Sequence, residues 1–422
     1  MQRADQKRIL KLVPYSEALE KLFEVACIKH IGYETVSVER SIGRVLAEDV
    51  TSEVDIPQTD RSLVDGYALK SEDTLEASPK NPVKLRIVGK LYPWSPPNEG
   101  VSKGQAVYVA CGAPIPQGAD AVIEVENTVL RVGEIEIRRL VKAGENIAPA
   151  GEDVKKGSLV LKRGEVLRPQ DIGILAGIGV RDVKVFRKPR VAIIATGNEL
   201  VEISRKDPTK IVDNYALIVS GLISELGGIP VRLGIAPDDL SEIKGKISEA
   251  VEKADIIVTI GGCSVGEKDF VPDAINSFGK PGIIVHGIKV KPGKVTGFGV
   301  VEGKPIVMLP GLIASTLAGF YLILAPLIGL YSGLKKDNVL PVISAKLNQD
   351  LQADRTLYRF MPVHVRRVNG AFIAEPIPGG STSLSRFIKS NGFILVPPNK
   401  TLEKGAEVNV TLFCRWELTH FE

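Results

Sequence analysis

The stretch Ala254-Asp-Ile-Ile-Val-Thr-Ile-Gly-Gly-Cys-Ser-Val-Gly-Glu-Lys-Asp269 concentrates the residue types best able to do chemistry in this chain. An apolar run long enough for a buried strand, Ile256 to Ile260, empties into Gly261-Gly262, where the backbone can bend and approach a ligand that a Cβ would obstruct. Ser264, Glu267, Lys268 and Asp269 then arrive at the carboxyl end of that strand, where open parallel sheets place their ligand crevice. Three further acids stand beside glycine or at an element end: Asp65 in Leu63-Val-Asp-Gly-Tyr-Ala, Glu199 in Ala195-Thr-Gly-Asn-Glu-Leu, and Asp213 in Ile211-Val-Asp-Asn. Carboxylates gathered at strand ends can hold Mg2+, orient a water or accept hydrogen bonds from a polar ring. They can equally be structural, since an acid such as Asp213 just before a helix favours its N-terminus without any ligand.

A second group is basic. Ile288-Lys-Val-Lys-Pro-Gly-Lys-Val-Thr-Gly-Phe-Gly299 sets three lysines around a Pro-Gly turn. Lys291 and Lys294 can supply charge while turn amides supply directed donors, which suits a phosphate or a tetrahedral oxyanion; the pattern also describes an ordinary solvated lysine loop. A third turn, Leu309-Pro-Gly311, lies between strand and helix with Ser315 one helical turn later, and that helix N-terminus also favours an anion. Cys111 and Cys263 fall in turns of these segments, where the readings are soft-metal ligation or, more in keeping with the residue type, buried inert thiols. A P-loop lysine motif and HExxH are both missing, so common NTPase and zinc-protease readings lack support.

Such dispersed groups need a scaffold that brings distant turns together. Beyond Arg187-Lys-Pro-Arg190, read as a linker, the pattern is strand Val191 to Ala195, helix Asn214 to Leu226, strand Pro230 to Gly234, helix Asp239 to Lys253, strand Asp255 to Ile260, and a later strand and helix after Lys304. This βαβ order implies a parallel sheet covered on both faces. Residues 15 to 48 read as helical with Ser16 as cap. From about Val50 to Ala150, short β-like runs (Val83 to Val88, Ala106 to Ala110, Ala121 to Val125, Glu134 to Ile137) alternate with Pro/Gly turns, as in a small all-β module. Gly157 to Phe186 reads as a strand pair around a short helix. Lys335-Lys-Asp-Asn338 marks the next boundary, and Leu340 to Glu422 reads as a compact β-barrel.

Composition agrees with several packed domains: 422 residues exceed a single core, with 44% hydrophobic and 25% charged residues. A formal charge of +4 is too small at this length to point to nucleic acid. Cys27, Cys111, Cys263 and Cys414 form no CxxC pair, which favours a reduced cytoplasmic protein over a disulfide or zinc scaffold. Few His and Met beside many Lys, Glu, Ile and Val lean towards a thermophile. The charged N-terminus, Met1 to Arg8, lacks the apolar core of a secretory signal. Leu312 to Leu334 contains no charged residue and is long enough to span a bilayer, but Pro326, its Gly, Ser and Thr content and the apolar strand before it favour a buried crossover helix, so no membrane is expected.

Taken in order, Ser62-Leu-Val-Asp-Gly-Tyr-Ala68, Gly112-Ala-Pro-Ile-Pro-Gln-Gly-Ala-Asp-Ala-Val122, Gly151-Glu-Asp153, Thr196-Gly-Asn-Glu-Leu200, Gly261-Gly-Cys-Ser-Val-Gly266, Lys291-Pro-Gly-Lys294, Leu309-Pro-Gly311 and Ser390-Asn-Gly392 cover nearly the whole chain. This set resembles the MoeA-type molybdopterin molybdenumtransferases, which include the gephyrin E domain, with the composition of a divergent archaeal or thermophile member. The resemblance implies a multidomain α/β plus β fold. Its parts would be an elongated N-terminal domain from 1–48 and 151–187, an inserted β domain at 49–150, a three-layer α/β/α domain with a parallel-rich sheet at 188–335, and a C-terminal β-barrel at 336–422. It also implies a homodimer whose cleft combines the α/β domain of one subunit with the β domain of the other. The implied reaction inserts molybdate, or tungstate, into adenylylated molybdopterin and releases AMP with Mg2+, the substrate coming from a molybdopterin adenylyltransferase. Carried over by motif, Asp65, Glu199, Asp213 and Asp269 are the essential acids, with Asp213 and Asp269 as metal ligands. Gly261, Gly262, Ser264, Lys291, Lys294 and Ser315 would bind molybdate or phosphate, with Arg355, Ser383 and Ser385 as looser candidates from the barrel.

The chain departs from the family pattern at Cys111 (usually Thr), Ala148-Pro-Ala150 (often arginines), Gly287 (often basic), Val295 (usually Pro) and Leu312-Ile313 (usually Asn-Pro). Several of these remove polar or cationic groups, so the alternative is a catalytically impaired paralogue acting as a molybdopterin carrier or assembly scaffold. All four acids and both central lysines remain.

Overall fold

A computed structural model describes residues 10–26, 31–96, 100–205, 207–335 and 339–414. Cys27, the segment Met1 to Arg8 and most of the boundary Lys335 to Asn338 lie outside the described residues. The chain forms two compact units, one made of residues 1–35, 43–47 and 184–422 and the other of 36–42 and 48–183.

The first unit is built on a six-stranded sheet in the order Ile229–Ala236, Arg190–Thr196, Ile256–Ile260, Lys304–Leu309, Gly297–Val301, Gly282–His286. Side chains alternate along each strand, so the two faces of the sheet build separate cores. Val191, Ile193, Ile256, Val258 and Leu309 pack with the helix Tyr215–Glu225 and the helical run from Ile313, while Ala192, Ile194, Ile257 and Met308 pack with Leu240–Lys253 and Val271–Asn276. That is a three-layer α/β/α arrangement. Leu240–Lys253 shows why one such helix forms where it does: Asp239 accepts from the amides of Ser241 (2.8 Å) and Glu242 (3.1 Å), and Ile243, Ile247 and Ala250 bury one face.

The first four strands pair in parallel, as the βαβ pattern requires. The last two are antiparallel, so the sheet is mixed rather than purely parallel. Of these, Gly297–Val301 begins within Ile288 to Gly299, which reads in sequence as a lysine loop because glycines break its alternation; Gly297 and Gly299 are needed where a Cβ would stand 2.5 Å from Val285 O and 2.2 Å from Gly282 O. The apolar stretch forms Ile313–Gly319, a π-helical turn Phe320–Leu324 and Ala325–Tyr331. It is long enough to cross a membrane, yet 83% of it is buried inside the protein, and Phe320, Leu324 and Leu327 sit in the core with Val258: it is a crossover helix.

The same unit ends in a closed barrel of Tyr358–Val368, Ala371–Pro376, Val342–Leu347, Glu407–Leu412 and Gly392–Val396, the last strand pairing back onto the first. Val290–Lys291 joins this barrel in parallel, Lys291 opposite Arg359. The lysine turn is therefore tied to the barrel as well as to the α/β layers.

The second unit holds a six-stranded sheet ordered Ala121–Glu124, Gly66–Leu69, Gln105–Val109, Val83–Leu91, Glu134–Ile137, Thr128–Leu130. Two of these strands, Gly66–Leu69 and Thr128–Leu130, escape the sequence reading. The expected helix over 15–48 is corrected: it spans only Tyr15–Ala26, and Ser16 lies inside it rather than capping it. Gly32, at φ 85°, lies outside helical geometry, and Tyr33–Ser37 is a strand. Pro169–Gly177 is the expected short helix, but Leu159–Leu161 pairs with Val50–Thr51 rather than across that helix.

Candidate functional site

The chain runs from Arg190–Thr196 outward to Ile229–Ala236, then returns to place Ile256–Ile260 on the other flank of the first strand. Strand order reverses between these two neighbours, and in an open α/β sheet a crevice opens beyond the carboxyl ends at such a switch. A cavity of about 1180 Å³ lies there. Glu199, Asp213, Gly261, Gly262, Ser264, Asp269, Lys291, Lys294 and Ser315 all line it, so nine of the sequence-derived candidates meet in one place.

Each is held by a local device. Gly261 (φ 94°) and Gly262 (φ 59°) occupy the left-handed region, and a Cβ on them would stand 2.7 Å from Thr196 O and 2.8 Å from Thr196 Oγ1. The Ile256 strand can therefore end hard against its neighbour. Asp269 folds back over the turn, its Oδ2 accepting from the Gly266 amide at 2.7 Å. Asp213 is buried and accepts from the Ala216 amide at 3.0 Å, so the capping reading holds alongside its place in the cavity wall. Burial raises its carboxyl above the usual aspartate value. The Glu199 carboxylate lies against Gly197, where a Cβ would come within 2.5 Å of it.

The lining also carries cations. Lys291 and Lys294 are exposed at either end of the Pro-Gly turn. Ser315 sits in the first turn of Ile313–Gly319, and a barrel loop reaches this helix start: Ala314 N donates to Ser381 O at 3.0 Å. Ser381 and Thr382 line the cavity, whereas Arg355 and Ser385 do not. Ser385 instead shares a hydrogen bond with Ser383 at 3.2 Å, and Arg355 is exposed in the barrel. Sequence reasoning missed Ser381 and Thr382 by a few positions; the signal was Pro378-Gly-Gly, a turn that must project the residues after it. It also missed Asp238 in the cavity wall, which exchanges hydrogen bonds with Asn198 (3.2 and 3.1 Å).

Asp65 belongs to the other unit. It lines a separate cavity of about 550 Å³ with Cys111, Glu124 and Asn127. The Cys111 amide donates to Asp65 Oδ1 at 2.9 Å. Cys111 is exposed rather than buried, while Cys263 is buried, its thiol pushed up to about 12 by burial. The two thiols lie in different units. Among the described residues no three His, Cys, Asp or Glu side chains are grouped to hold a metal alone. Asp213 and Asp269 offer hard oxygen donors in the lining of the cavity, which suits Mg2+, an ion that takes one or two carboxylates and completes its shell with waters and substrate phosphates.

The chain matches three families in succession: "MoeA N-terminal region (domain I and II)" at residues 13–179, "Probable molybdopterin binding domain" at 192–329 and "MoeA C-terminal region (domain IV)" at 344–413. It is 32% identical over 407 residues to the molybdopterin molybdenumtransferase of Bacillus subtilis, covering 95% of this chain and 94% of that protein. It belongs to the MoeA family. The molybdopterin molybdenumtransferase of Staphylococcus aureus (strain COL) is 31% identical, with 95% of each chain covered. A solved molybdopterin biosynthesis MoeA protein from Pyrococcus horikoshii superposes with a TM-score of 0.84 at 37% identity, over 96% of this chain and 100% of that one.

Three of the departures from the MoeA pattern have visible local settings. Gly287 (φ 103°) packs under the N-terminal segment, and a Cβ there would stand 2.8 Å from Leu12 Cδ2. Val295 packs against the second core, and Leu312 adds apolar surface to the cavity. Glu199, Asp213, Asp269, Lys291 and Lys294 all keep their places around that cavity, so the substitutions give no support to an impaired carrier or scaffold.

Proposed function

We propose that this MoeA-family enzyme of molybdenum cofactor biosynthesis inserts molybdate or tungstate into adenylylated molybdopterin and releases AMP. The observation that carries the reading is the cavity at the strand-order reversal, whose lining includes three carboxylates and two lysines from separate turns. Lys291 and Lys294 would take the anionic groups, the phosphate of the substrate and the incoming oxyanion, while Ser315 adds a hydroxyl donor at the helix start. The glycine turn keeps the floor free of side chains, so a flat ring system can approach the backbone. Glu199 would orient the reacting groups and hold a proton, leaving Asp213 and Asp269 to act as ionised oxygen donors. Mg2+ bound by Asp213 and Asp269 would offset charge on the phosphate as AMP departs.

The reading includes a homodimer, Asp65 as a further acid supplied from the small β domain, the division into four domains, a cytoplasmic location, and an adenylyltransferase that delivers the substrate. Incubating the purified protein with adenylylated molybdopterin, Mg2+ and either molybdate or tungstate should release AMP and yield metallated cofactor. Absence of turnover with both oxyanions would sink the reading, and the ratio of the two rates assigns the metal.

A further inference from the structure

Arg386 is buried, yet among the described residues it has no carboxylate partner. Its Nη1 donates to Gly379 O at 3.0 Å and its Nη2 to Ile377 O at 2.9 Å; Nη2 also lies 3.9 Å from Met361 Sδ, and Nε is buried without a partner. The neighbouring charge that acts on it is Arg359, also positive, and burial lowers the guanidinium below its usual value. An arginine held this way is costly, and a methionine would fill similar space at less cost. Its bonds show what it does in return. They grip the chain on both sides of Pro378, at the root of the loop whose next residues, Ser381 and Thr382, line the large cavity. Gly379 lies close against the side chain, a Cβ there standing 3.1 Å from Arg386 Cδ. At its base the loop is fixed by Ile377 N donating to Pro362 O (2.9 Å), and at its tip by Ala314 N donating to Ser381 O (3.0 Å).

We propose that Arg386 is a positioning residue for anion binding: its buried guanidinium sets the loop Ile377 to Gly380 so that Ser381 and Thr382 face the cavity, and its uncompensated charge adds to the field of Lys291 and Lys294. The inference rests on the proposed anion site and assigns a part of that site to the barrel. A side chain with this role acts on affinity for the anion more than on the chemical step.

The test uses Arg386→Met, Arg386→Lys and Arg386→Gln in the full chain. Equilibrium binding of inorganic molybdate, tungstate and AMP is measured without pterin, alongside KM and kcat for the oxyanion in the full reaction and the thermal midpoint. Arg386→Met is expected to weaken oxyanion binding and raise KM about tenfold with kcat little changed and the thermal midpoint unchanged or higher. Arg386→Lys should recover part of the affinity, and Arg386→Gln, which keeps a donor but no charge, less. Should Arg386→Met not fold, the Lys and Gln variants decide, equal affinity in both removing the role of charge. Wild-type affinity in a folded Arg386→Met overturns the proposal while leaving the enzyme reading intact. Failure of the wild-type protein to bind any of the three anions overturns the enzyme reading itself.

Discussion

Asp269 Oδ2 accepts a hydrogen bond from the Gly266 amide at 2.7 Å, so the carboxylate at the cavity wall also shapes the turn that carries it. Asn at this position keeps an acceptor of the same shape and loses the charge. Asp269→Asn is therefore expected to leave the fold within about 1 kcal/mol of wild type, since Asn Oδ1 can still accept from the Gly266 amide, and to reduce AMP release about a hundredfold or more if the carboxylate acts on developing charge. Thermal unfolding and an AMP-release assay on one preparation separate the two effects. Undiminished turnover removes Asp269 from the reacting set.

Gly261→Ala tests the floor of the cavity. The new Cβ would meet Thr196 O at 2.7 Å, and the backbone sits at φ 94°. Neither a backbone oxygen nor a strand end can move cheaply, so a loss of about 2–3 kcal/mol is expected. Urea denaturation measures it. A change below about 0.5 kcal/mol would mean that the two strand ends do not press together as described.

Much of this site is legible in the sequence because its chemistry sits at strand ends, and strand ends are marked twice, by an apolar run and by the glycines that stop it. Ile256 to Gly262 shows both marks, and the structure begins and ends that strand within a residue of the reading. Asp213 is legible too, but in two ways at once: cap and cavity wall are the same carboxylate. What the sequence hides is contact between segments far apart. Nothing in Val290-Lys291 announces that it pairs with Tyr358-Arg359, and nothing local tells that Ser381 rather than Ser385 reaches the helix at Ala314. The strands Gly282–His286 and Gly297–Val301 stay hidden for a different reason, because glycines demanded by close packing erase the alternation that marks a strand.

Glu124 gives the second unit a sharp acid response. Asn127 Nδ2 donates to its Oε2 at 2.9 Å, as does Arg139 Nη2, and its carboxyl is held down to about 2, the Asn127 bond first among the causes. A carboxyl lowered in the folded state contributes stability that is complete above its unfolded value of 4.5 and is lost as pH falls towards about 2. Wild type should therefore lose more thermal stability than Glu124→Gln between pH 5 and pH 2.5, and the two curves should converge at the acid end. Parallel melting curves across this range would show that Glu124 is not held by these bonds.

The cysteines of the two cavities should behave oppositely. Cys111 is exposed and its Sγ lies 3.2 Å from Leu63 O, while Cys263 is buried with its thiol pushed up to about 12. Reactivity follows the thiolate and its access, so iodoacetamide at pH 8 should label Cys111 in the native protein and reach Cys263 only after unfolding, as peptide mass spectrometry will report. The adduct stands in the small cavity beside Asp65 and should suppress AMP release. The contact to Asp65 comes from the Cys111 amide, which any residue but proline supplies, so Cys111→Thr should turn over within about threefold of wild type and resist iodoacetamide. If the threonine variant loses activity while folding normally, the thiol itself takes part in the reaction; if labelled wild type keeps full activity, the Asp65 cavity lies outside the substrate path.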